Sequence, residues 1–107
     1  MLAQQSILDA AKRALSAATN PLQIILFGSY ARGDADEASD VDLLVIEREV
    51  PDKAAECLNV HRAVGAIGVG VDVLVFSREE FERRSQAPGT LPYWAKKEGK
   101  LLYDASA

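Results

Sequence analysis

Three short apolar runs decide what this chain can fold into. Residues 22–27, 40–47 and 69–76 are rich in Ile, Val and Leu and are bounded by Gly, Pro and polar residues. Their length and composition suit strands. Around them the period changes. Residues 4–18 place Leu8, Ala11 and Leu15 at helical spacing among strong helix formers, and Asn20-Pro21 stops that pattern. Residues 30–32 read as a single helical turn, and residues 33–39 as a polar surface loop. Pro51, followed by Asp52, opens a helix that runs to Val64 and ends in Gly65. Ser77 with Glu80 forms a capping box for a helix through Ser85. Pro88-Gly89 is a turn, residues 93–98 a short helix stopped by Gly99, and residues 101–103 a last short strand. The order predicts an α/β (or α+β) fold, a small sheet covered by helices. With no linker or repeat, residues 1–107 read as a single domain.

Composition narrows the function classes. Twelve basic and 16 acidic residues give a formal net charge of -4. No basic run marks a surface that tracks a long nucleic-acid backbone, which weighs against a processive polymerase. Cys57 is the only cysteine, so no internal disulfide can form, as expected in a reducing cytoplasm. The first residues lack a signal-peptide pattern, and no apolar stretch approaches the ~20 residues that span a bilayer.

Three features carry chemistry. Gly28-Ser29 directly follows a strand and opens a helical turn, a place where backbone N–H groups suit an anionic phosphate. An ordinary strand-to-helix turn has the same appearance. The Gly28 to Gly33 spacing imitates a Walker loop, but Asp34 and Ala35 stand where Lys and Ser or Thr are needed. The second feature is Asp40-Val41-Asp42. Carboxylates at i and i+2 of a strand share a face about 6.5–7 Å apart. At an effective dielectric of ~20 they repel by roughly 2–2.5 kcal/mol. A divalent cation offsets that cost, and so does exposure to water at a strand end. The third is Asp72, whose strand is otherwise apolar apart from Gly70. A carboxylate there calls for a metal, a proton or a distant Arg. If its strand lies beside that of Asp40, three carboxylates converge, as two-metal catalysis requires.

Together, Gly28-Ser29-Tyr30-Ala31-Arg32-Gly33, then Ser39-Asp40-Val41-Asp42-Leu43-Leu44-Val45, then Asp72, resemble the DNA polymerase β superfamily, and within it the minimal nucleotidyltransferases. The segment from Tyr93 to Gly99 and Leu101-Leu102-Tyr103 also look like that family. The resemblance implies a mixed sheet with helices packed on it. It implies Asp40, Asp42 and Asp72 as ligands of two Mg2+ ions, with Asp72 also helping to activate an acceptor hydroxyl. Gly28 and Ser29 would hold the triphosphate of ATP. Arg32 is either a phosphate neighbour or a solvated helix residue. Members are often paired with a helical HEPN-type toxin, which the nucleotidyltransferase silences as antitoxin by attaching AMP to a tyrosine. Two alternatives stay open: neutralisation by docking alone, and transfer to a small molecule.

Other residues invite less. His61 reads as a surface or half-buried helix residue, Cys57 as packing. Asp34, Asp36 and Glu37 lack the Gly and final Glu of a calcium loop. Tyr93 and Trp94 are either core or partner surface.

Overall fold

The computed structural model describes residues 3–106. Nine elements follow in order: α1 (Gln4–Ala17), β1 (Pro21–Phe27), α2 (Ser29–Arg32), β2 (Val41–Glu47), α3 (Lys53–Val64), β3 (Val71–Ser77), α4 (Arg78–Ser85), α5 (Leu91–Glu98) and β4 (Lys100–Asp104). The four strands form one mixed sheet in the order β3-β2-β1-β4. β1 pairs antiparallel with both β2 and β4. β2 and β3 run parallel, joined by the crossover that contains α3. The expected fold class holds. No helix among the described residues is long and apolar enough to cross a membrane.

The central strand β2 explains its own composition. Apart from Asp42, all of its residues are buried, because helices cover both faces of the sheet. On one face Ile24, Leu26, Leu43, Val45, Val73 and Val75 pack against Ala10 and Ala14 of α1 and Val60 and Val64 of α3. On the other, Ile25, Leu44, Ile46 and Phe76 meet Phe81 of α4 and Ala95 of α5. The buried stripe of α1 is Ile7, Ala10, Ala11 and Ala14, turned from the expected one so that Leu8 and Leu15 flank it. Alanines there let the helix lie close to the sheet.

Two helix starts and one cap differ from expectation. α3 begins at Lys53 and not at Pro51, because Asp52 is the N-cap and its carboxylate accepts from Ala55 N–H at 3.1 Å. α5 begins at Leu91, where Thr90 caps Tyr93 N–H and Pro92 fits the first turn. Ser77 caps α4 as expected, but the Glu80 carboxylate is engaged by Lys53 and Arg84 instead of completing the box.

The last residue of β2 is a charge where the layer is closed. Glu47 is fully buried; one carboxyl oxygen accepts from Asn20 N–H at 3.0 Å, and Oε2 meets no donor. Burial first, and then the adjoining Glu56 carboxylate, push Glu47 up to about 7, while Glu56 is held low by that same contact. Glu47 thus holds its proton more firmly than a free carboxyl, beside the Glu56 carboxylate. A folded-state value above the usual 4.5 means that the folded state holds more protons than the unfolded chain. Its stabilisation is complete below pH 4.5 and is lost as pH rises through 7. Glu47→Gln removes the titration. It should flatten the fall in stability between these pH values and be more stable than the parent at pH 8 by about 1–2 kcal/mol. Urea unfolding across that range checks it; an unchanged slope would assign the proton elsewhere.

Candidate active site

The open end of the sheet gathers the carboxylates. Phe27, at the end of β1, is the register partner of Asp42, and Asp42 in turn is the partner of Asp72 in the parallel pair. Asp40 stands one residue before β2, whose first bond is Val41 N–H to Gly70 C=O at 2.9 Å. Two glycines make room for the acids. A side chain at Gly28 would run into the Asp42 carboxylate, and one at Gly70 into that of Asp40. Each carboxylate of the Asp-x-Asp pair therefore occupies a notch that only glycine leaves open. Gly28 is suited twice over: its φ of 75° and ψ of -155° lie where other residues are strained.

Directly after Gly28 the chain turns into α2. Ala31 and Arg32 N–H donate to Gly28 C=O at 3.1 and 3.0 Å, and Gly33, left-handed at φ 84°, ends the turn by donating to Ser29 C=O. Gly28 and the half-buried Ser29 thus stand beside Asp42. Arg32 is exposed and ion-paired with Asp34 at 3.2 Å and, more loosely, with Glu98 at 3.8 Å. Its charge still reaches Asp42, pulling against the other influences there.

Those influences are large. Asp42 is raised from 3.8 to about 6, first by burial, then by the Asp72 charge and a hydrogen bond shared with Asp72, then by Asp40. The expectation that Asp72 bears the cost of an apolar strand is corrected here. Asp72 lies near the start of β3, an edge strand, and is exposed; the half-buried carboxylate is Asp42, in the interior strand. Sequence could not weigh the two, because edge and centre are properties of strand order.

The donor set fits Mg2+ in a particular way. Among the described residues, no three acidic, His or Cys side chains close around one point. Mg2+ commonly takes one or two carboxylates and completes its shell with water and substrate phosphate. Asp42 and Asp72 side by side, with Asp40 next to them and a repulsion that a cation relieves, meet that requirement.

Other candidates behave as their sequence context suggests. His61 is exposed near the end of α3, Cys57 donates its thiol to Val73 C=O at 3.0 Å, and Asp36 fixes the polar loop through Ser39 and Ala38. Tyr93 is half-buried and Trp94 largely exposed, and the two rings meet edge to face at 5.3 Å.

The family described as Polymerase beta, Nucleotidyltransferase matches residues 10–107. The chain belongs to this family. Among its relatives, a protein of Methanocaldococcus jannaschii provisionally named a protein adenylyltransferase is 66% identical over 29 residues, 27% of this chain and 29% of that protein. The protein adenylyltransferase MntA of Thermococcus cleftensis is 49% identical over 47 residues, 44% of this chain and 48% of its own length. This nucleotidyltransferase-family chain spans 29% to 60% of the length of the curated relatives it matches. A solved toxin-antitoxin structure with AMP-PNP superimposes on 97% of the chain and 75% of its own, with a TM-score of 0.68 and 22% identity, which is a likeness of fold.

Proposed function

We propose that this chain is a metal-dependent protein adenylyltransferase that moves AMP from ATP to a tyrosine hydroxyl of a HEPN-type toxin and so acts as its antitoxin, in the cytoplasm. The observation that carries the reading is the register pairing of Asp42 with Asp72 beside Gly28. Asp40, Asp42 and Asp72 would hold two Mg2+ ions, which, when bound, neutralise phosphate charge and polarise the reacting oxygens. Gly28 and Ser29 hold the triphosphate against β1. Asp72, the exposed acid, faces the acceptor, orients its hydroxyl and takes its proton. The acceptor oxygen bonds to the α-phosphorus, the bond to the β-phosphate oxygen breaks, and pyrophosphate leaves with that electron pair. The names of the adenylyltransferase relatives and the fold likeness to a toxin-antitoxin structure support the choice of donor and acceptor. A net charge of -4 suits a basic, RNA-cutting partner, since opposite charges speed encounter.

The test is co-expression with the product of the neighbouring open reading frame, followed by size-exclusion chromatography and intact mass. The partner should co-elute and gain mass in steps of about 329 Da, one AMP each, only when Mg2+ and ATP are supplied. A partner that is neutralised by the Asp40→Asn, Asp42→Asn double variant without gaining mass would replace catalysis by docking as the mode of action.

A further inference from the structure

Beside the acids lies an open hollow of about 660 Å³, lined chiefly by Phe27, Gly28, Arg32, Leu91, Trp94 and Glu98. Its size is that of a small-molecule site. It adjoins the acidic cluster through two residues: Gly28, which touches Asp42, and Phe27, the register partner of Asp42. Trp94 is the only tryptophan of the chain, and 46% of its surface is exposed, although an indole in water forgoes much burial. The ring is nonetheless held in place. Tyr93 meets it at 83°, and the Lys97 ammonium lies 5.8 Å from its centroid.

We infer that this hollow seats the base of the nucleotide, stacked on Trp94, while the triphosphate lies on Gly28-Ser29. The inference rests on the nucleotidyl-transfer reading and deepens it. Gly28 belongs both to the wall of the hollow and to the turn beside the acids, so a ligand that fills both places is one molecule with an anionic end and a flat apolar end. A nucleoside triphosphate is such a molecule. Phe27, Leu91 and Trp94 give the base apolar cover, and stacking on an indole accepts any base, because every base has a π face. Arg32 and Glu98 place a donor and an acceptor at the rim for its polar edge.

The single tryptophan makes the test direct. With Mg2+ present, ATP should change Trp94 emission, and inorganic tripolyphosphate, which has no base, should bind without doing so. By calorimetry, Trp94→Ala should weaken ATP roughly tenfold, leave tripolyphosphate unchanged, and be rescued by Trp94→Phe. Unchanged ATP affinity in Trp94→Ala overturns the seat, as does equal weakening of both ligands. A rise in KM for the protein acceptor alone also overturns it, by giving the hollow to the acceptor ring. In each of those cases nucleotidyl transfer still stands. Failure of the parent chain to bind either ligand would remove both readings.

Discussion

Replacing Asp72 by Asn is expected to end nucleotidyl transfer, by about a thousandfold or more, and to raise the melting temperature of the metal-free protein. The two effects have one cause. The activity loss follows from the role proposed for Asp72, a charge that would hold metal and orient the acceptor; losses of this size accompany the removal of a single group that acts on the transition state. The stability gain follows from Asp42, whose carboxyl is pushed up to about 6 partly by the Asp72 charge. A raised folded-state value for an acid means stability that is present below 3.8 and lost as pH rises through 6. Relieving Asp42 therefore stabilises the fold at pH 7 and leaves it unchanged below pH 4. Up to about 1 kcal/mol, or roughly 4–8 °C, is the expected size for a domain of this length and a half-buried group. Melting curves at pH 4 and pH 7.5 and single-turnover assays with labelled ATP check both halves. A variant that keeps full activity would remove Asp72 from the reaction.

Gly28→Ala should be nearly as damaging to activity and should also cost stability. The new methyl group meets the Asp42 carboxylate, and a displacement of about 1 Å in a reacting site costs on the order of a hundredfold. The backbone, at φ 75° and ψ -155°, is strained by any side chain, adding about 1–3 kcal/mol of destabilisation. Gly33→Ala separates the causes. Gly33 also has a positive φ, 84°, but nothing lies within 4 Å of its missing side chain. It should lose about 1 kcal/mol of stability and almost none of the activity. Equal activity loss in both variants would mean that strain in the turn, and not contact with Asp42, governs the site.

Much of this arrangement was legible in the chain because two kinds of signal are local. The apolar runs ending in Phe27, Glu47 and Phe76 mark strands wherever those strands sit, and the Gly28-Ser29 and Asp40-Val41-Asp42 spacings fix side chains relative to their own backbone. What stayed hidden depends on partners distant in sequence. Asp72 looked like the stressed carboxylate because its neighbours in sequence are apolar; strand order puts it on an edge and gives the stress to Asp42. Glu47 is a charged residue at the end of a strand, and its burial beside Asn20 and Glu56, which are distant in sequence, raises its carboxyl. Gly70 read as an interruption, and its purpose appears when Asp40 fills its notch. The hollow at Trp94 joins the end of β1 to α5, and no spacing records that meeting.

The parallel pairing of β2 with β3 is continuous from Val41↔Val71 to Glu47↔Ser77. Its consequence concerns what the chain tolerates as it changes. Alignment of Asp42 with Asp72 is set within the strands, and the bend between Gly65 and Gly68, exposed except for Ile67 against the core, takes no part in it. Length can be gained there, by natural insertion or by a grafted peptide, while the chemistry stays in place. A slip of β3 by one residue against β2 is a different event. It turns Asp72 to the opposite face and turns Val73 and Val75 out of the core in the same step, so that catalytic failure and misfolding arrive together. The crossover is thereby the place where added length can build surface for a partner while Asp42 and Asp72 stay side by side.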